Sequence, residues 1–168
     1  MQKKITGLII FSKKIKDNDL YIKILSSNDE INSGIVYGGN SSKKKLIFQD
    51  GYFINYSISK KNENAPPFFS GELSKPFIGN IYDNKYKLNA LLSILSLINL
   101  SFLEGQSIKG YYLTIYDLFC KIINQKHWMV NYCELLFELL KLIGYQIEYK
   151  ENFQNKYFNI ETKRFSKD

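Results

Sequence analysis

Histidine is almost missing from this sequence: His127 is the single one, and its neighbours Gln125, Lys126 and Trp128 offer neither a nucleophile nor a metal ligand. Catalysis built on a Ser–His or Cys–His pair is therefore excluded around it, as is a His-rich zinc site. It reads as a polar residue at a helix start or between helices. Cysteine is scarce too, with Cys120 and Cys133 lacking CxxC spacing and lying inside apolar helical patterns. Both are expected to be buried free thiols. No stretch reaches the roughly 18 uncharged apolar residues of a membrane span, residues 88–103 coming nearest. The N-terminal apolar run stops at Ser12 and Lys13, short of a signal peptide, so a reducing cytoplasm is the expected location. Neither GxxxxGK[ST] nor GxGxxG occurs, which removes the common nucleotide-cofactor loops, and no cofactor is expected.

Carboxylate pairs do occur, at Asp17 and Asp19, Asp29 and Glu30, and Glu134 and Glu138. The first two fall in turn-like stretches, where Asp satisfies local backbone amides. The third is an i, i+4 pair opposite a leucine-rich helix face. None sits in an apolar run that would lift a carboxyl into a working range for acid–base chemistry. No enzyme is expected.

What the sequence does have is apolar content and positive charge. Of 168 residues, 45% are hydrophobic and 15% aromatic, which is the composition of a folding chain. The net charge is +7, carried by lysine almost alone, since Arg164 is the one arginine. It is uneven: residues 1–60 hold ten lysines against five acids, whereas residues 61–168 hold thirteen basic residues against eleven acids. A positive field concentrated in the first third points to a polyanionic partner, nucleic acid or an anionic membrane surface.

That same third reads as strands. GLIIFSKK, LYIKILSS, INSGIVYG, KLIFQDG and YFINYSIS are short, rich in Ile, Tyr and Phe, and separated by Asn, Asp, Ser and Gly. Strands at this spacing point to a small barrel or sandwich, and five of them would suit an oligonucleotide-binding (OB) barrel. KKNENAPPFFSGELSKPF follows, its prolines excluding a helix interior, with room for a last edge strand at residues 68–74. Beyond Tyr82 the period becomes helical. Asp83 or Asn84 is placed to cap KYKLNALLSILSLINLSFL; SIKGYYLTIYDLFCKIINQ and WMVNYCELLFELLKLIGY give two more helices, the first weakened at its start by Gly110. KYFNIETKRFS reads as a hairpin turning near residues 161–163. The expected fold is therefore α+β, with an OB-fold barrel over residues 1–80 and a helical domain with a terminal hairpin over residues 81–168.

VYGGNSSKKKL, residues 36–46, is the strongest break in the β third. Gly38 and Gly39 let the backbone turn and approach a polyanion, Asn40, Ser41 and Ser42 bring small donors, and Lys43, Lys44 and Lys45 bring charge. Tyr37, with Tyr21, Phe48, Tyr52 and Tyr56 on other segments, is a candidate stacking face, worth about 1 to 3 kcal/mol per base where used. Taken one by one these aromatics fit barrel core better. The basic loop fits binding better.

These segments, in order, resemble the N-terminal part of the RecO family of bacterial recombination mediators. Gly7, the DNDLYIKIL turn and strand, GIVYGGNSSKKK and LIFQDG fill the family's successive places, followed by FFSGELSKPF, GYYLTIYDLF, CELLFELLKLIGYQIEY and YFNIETKRFS. No single motif is specific; the ordered set carries the resemblance. It implies an OB barrel with a helical domain and a non-enzymatic role in recombinational repair. It also implies binding to single- and double-stranded DNA, annealing, contacts with RecR and the single-strand-binding protein, and indirect help in loading RecA. An alternative is a module that docks RecR or the single-strand-binding protein with little DNA binding of its own. By position, the family's basic motif falls on Tyr37 to Lys45, with Lys13, Lys14 and Lys23 beside it. Three departures stand out. Lysines replace the arginines usual in that motif, the cysteine cluster that holds zinc in some members is missing, so no metal is expected, and family chains commonly run on past the hairpin. This sequence is accordingly expected to be a shortened member or a fragment.

Overall fold

The structure, a computed structural model, describes residues 4–16, 18–145, 157–162 and 164–166. Five strands form a closed barrel: β1 (Ile5–Lys14), β2 (Leu20–Ser26), β3 (Ile31–Val36), β4 (Phe53–Ser59) and β5 (Phe68–Lys75). Their order around the barrel is β1-β2-β3-β5-β4, with β1 pairing back to β4. All pairings are antiparallel except the closing seam, where β3 meets β5 in parallel through a single rung, Ile35 opposite Phe68. Gly34 makes this seam possible, because a Cβ there would lie 2.5 Å from the Pro67 carbonyl oxygen.

Alternation builds the interior. Leu20, Ile22 and Ile24 of β2 face inward, where Ile9, Val36, Ile54, Tyr56 and Phe69 complete one apolar cluster. Tyr21 and Lys23, between them, point outward and are half-buried.

KLIFQDG is not a strand. Residues Lys44–Leu46 form a 3-10 turn, with the Ile47 and Phe48 amides donating to the Lys44 carbonyl, and Phe48 drops into the barrel core with Ile47 packed against it. One buried aromatic after a turn satisfies the apolar demand that resembles a strand in sequence. The missing fifth strand is Phe68–Lys75, and it closes the barrel rather than lying loose beside a linker.

Helix α1 spans Lys85–Ser101, and the Asn84 carboxamide oxygen accepts from the Lys87 amide at 3.1 Å. That is the N-cap expected of a short polar side chain. Helix α2 (Tyr111–Asn124) begins one residue after Gly110, whose φ of +79° keeps residues 107–110 out of the helix. The first compact unit runs through Lys126, so α1 and α2 belong with the barrel. Leu91, Ile94, Ile98, Ile115, Phe119 and Ile122 are fully buried there, and Phe53 meets Phe77, Tyr116 and Phe119 edge-on at 5.2 to 5.5 Å.

Its second unit, residues 127–168, contains α3 (Trp128–Leu142), with Leu135 and Leu139 buried, and a hairpin of β6 (Tyr157–Asn159) and β7 (Arg164–Ser166). The Asn159 carboxamide oxygen accepts from the Glu161 and Thr162 amides, both at 2.9 Å, which sets the turn. Composition changes at residue 80, whereas the contacts divide the chain at 126.

Candidate nucleic-acid interface

Strand register assembles the basic residues. Lys14 lies opposite Leu20, which in turn lies opposite Val36, so the end of β1 stands two strands from the root of the 37–45 loop. Lys13 is opposite Tyr21, and Phe11 is opposite Lys23. These four side chains share the outer barrel face, where Phe11 and Tyr21 meet edge to face with centroids 6.5 Å apart.

The loop is held by the β1–β2 turn. The Gly38 amide donates to Asp19 Oδ1 at 2.7 Å, and the Asn40 amide to the Asn18 carbonyl at 2.7 Å. Gly39, Ser41 and Lys45 donate their amides to Val36, Gly38 and Ser41. Five of the loop's backbone amides are thus engaged within the protein. The two glycines divide their work. Gly38 has φ +62° with open space around it, so it makes the turn; Gly39 is buried, and a Cβ there would lie 3.0 Å from Leu20 Cγ.

The three lysines divide theirs as well. Lys44 Nζ donates to the Tyr37 carbonyl at 2.6 Å, bracing the loop. Lys43 and Lys45 are exposed, as is Ser42, and these are the loop's outward groups.

Of the five aromatics considered from sequence, Phe48, Tyr52 and Tyr56 are buried in the interior. Tyr37 is 42% exposed. Its ring lies 5.7 Å from that of Phe68, tilted by 50°, and Lys61 Nζ sits 5.3 Å from its centroid. Sequence reasoning missed Phe68 and Lys61 as site residues. They lie across the barrel seam, which only the β3–β5 pairing reveals, although the edge-strand reading of residues 68–74 was a usable signal.

Lys14, Asn40 and Lys45 also border a groove of about 460 Å³ beside Asp50. Burial pushes the Asp50 carboxyl above its ordinary value, and hydrogen bonding with Ser12 partly offsets this.

Elsewhere the chemistry is sparse. His127 is exposed at the start of α3 and makes no side-chain cap. Among the described residues no group of three or more His, Cys, Asp or Glu is placed to hold a metal ion. The cysteines correct the sequence reading: both are free, but Cys120 is only half-buried and Cys133 is exposed. Cys133 follows Tyr132 on a helix whose buried stripe is Leu135 and Leu139, and it falls off that stripe. Glu134 and Glu138 are exposed on the same helix, and none of its described neighbours gives them a pocket. No helix among the described residues is long and apolar enough to cross a membrane.

A closed five-stranded barrel of this order, with a basic turn at one end and helices α1 and α2 against it, defines an OB-like barrel protein of the α+β class. Among curated proteins, the chain is 30% identical over 155 residues to DNA repair protein RecO of Rickettsia bellii, covering 89% of this chain and 61% of that protein. It is 26% identical over 148 residues to DNA repair protein RecO of Rickettsia canadensis, covering 88% and 61%, and 28% identical over 148 residues to that of Rickettsia peacockii, covering 88% and 62%. No protein-family model matches the chain. These matches, ordered along a barrel followed by helices, support a RecO family assignment. It spans about three-fifths of the length of the relatives it matches.

Proposed function

We propose that the chain serves DNA repair as a DNA-binding mediator in the cytoplasm. It binds single- and double-stranded DNA, anneals complementary strands and helps load RecA, with RecR and the single-strand-binding protein as partners and no turnover of its own. The barrel, residues 1–80, is the DNA-contacting part in this reading, and residues 81–168 the helical part. The observation that carries it is the half-exposed Tyr37 ring, set on Phe68 with Lys61 over it, at the root of the loop that projects Lys43 and Lys45. An exposed aromatic beside unpaired lysine amines suits an unpaired base and its phosphates. The names of the Rickettsia relatives support a part in DNA repair.

Fluorescence anisotropy with labelled single-stranded and duplex oligonucleotides across a salt series tests it. Affinity should fall steeply with salt, and for the single strand by a log–log slope of about 0.7 per phosphate neutralised. Salt-independent binding, or none at low salt, would sink the proposal.

A further inference from the structure

The groove beside the basic loop has the make-up of a small ligand site. Leu20 and Phe48, both buried, and Leu92 of α1 give it an apolar lining, Lys14 and Lys45 are its exposed cations, and Ser12 and Asp50 add polar groups. At about 460 Å³ it exceeds the volume of one planar heterocycle. Asp50 is the unusual member, because its Oδ1 is buried with no hydrogen-bond partner. That oxygen is enclosed, but the half-buried side chain as a whole lines the groove, where a ligand's donor would meet the carboxyl.

Resting on the DNA-binding reading above, we propose that this groove takes an unpaired nucleobase carrying an exocyclic amino group, with the adjoining phosphates on Lys14 and Lys45. The amino hydrogens donate to the Asp50 carboxyl where it lines the groove, and the ring lies against Leu20, Phe48 and Leu92. The chemistry discriminates between bases. Cytosine presents its N4 amino group as a donor where thymine presents the O4 carbonyl, an acceptor that repels a carboxylate. The lysine contacts are indifferent to the base, so they set overall affinity, and Asp50 sets the preference.

The test compares labelled oligo-dC and oligo-dT of equal length by anisotropy, at neutral pH and one fixed salt concentration. Oligo-dC should bind more tightly, by roughly five-fold or more. Asp50→Ala should bring the oligo-dC affinity down to that of oligo-dT. Leu92→Trp, at a position already 38% exposed and so able to accept a larger side chain, should fill the groove and do the same. Equal affinity of the native protein for the two oligomers overturns the proposal while leaving the DNA-binding reading intact, and so does a preference that survives Asp50→Ala. If neither oligomer binds even at low salt, the broader reading falls and this one falls with it.

Discussion

Asp29 Oδ1 accepts a hydrogen bond from the Tyr112 amide at 2.9 Å, across 83 positions of sequence. Its other oxygen accepts from the Gly110 amide at 2.6 Å, so the tip of the β2–β3 hairpin caps the start of α2. The Ile108 amide donates to the Asp29 carbonyl, and Gly105 to that of Ile31, extending the clamp along the α1–α2 loop. A helix N-terminus without its own cap is thereby satisfied by a strand turn, and a carboxylate there also meets the positive end of the helix.

Replacing Asp29 with Ala should cost about 1 to 3 kcal/mol, from the lost cap and two amides left unpaired. Asp29 is also the one non-glycine described with positive φ, at 64°, which Asn tolerates better than Ala. Asp29→Asn should therefore lose less. Urea midpoints of the two variants check the order; equal losses would mean that the cap contributes little.

Gly51 has φ +82°, and a Cβ there would lie 2.0 Å from Ile78 Cδ1. Gly51→Ala should destabilise by about 2 to 3 kcal/mol, combining backbone strain with overpacking between the barrel and the short helix Phe77–Ile81. Gly105→Ala, also at positive φ but with nothing nearby, isolates the strain alone and should cost less. Thermal unfolding of the pair measures the difference.

Lysine substitutions in the loop should not be equivalent. Lys43→Ala and Lys45→Ala remove exposed amines and should each lower the salt slope of DNA binding, by about 0.7 for one lost phosphate contact on a single strand. Lys44→Ala removes the brace to the Tyr37 carbonyl instead, so it should loosen the loop and weaken binding with a smaller change in slope. Three identical slope changes would refute this division.

The raised pKa of Asp50 gives stability a pH dependence of definite sign. With the folded value above the unfolded value of 3.8, the native state holds the proton more tightly, and stability falls as pH rises through that window. Asp50→Asn should accordingly unfold at higher temperature than the native protein at neutral pH, with the gap narrowing as pH falls through the raised folded value and closing by 3.8. A gap that stays constant with pH would assign the effect to packing.

Residues whose behaviour depends on near neighbours were legible in sequence. Asn84 reads as a cap because its own amide neighbours need one, and β1 to β4 read as strands from alternation and Ile or Tyr content. The KLIFQDG segment misled because Ile47 and Phe48 carry the apolar weight of a strand with the geometry of a turn. In the candidate site, the basic loop was legible as a charge run, whereas Lys13, Lys14 and Lys23 came from the RecO resemblance by position. Phe68 and Lys61 were not, because their placement against Tyr37 depends on which strands pair across 30 residues. Cys133 was assigned to the interior from a helix that is apolar on more than one face. Only the burial of Leu135 and Leu139 shows which face turns inward.

The barrel closes through one parallel rung, and that rung uses Phe68, the same residue on which Tyr37 rests. Any ligand that gains from Tyr37 in its seated position therefore also favours a shut seam. By reciprocity, a shut seam tightens the hold on that ligand. Coupling of this kind would make amide exchange at Ile35, whose amide donates to the Pro67 carbonyl, a reporter of occupancy as well as of closure.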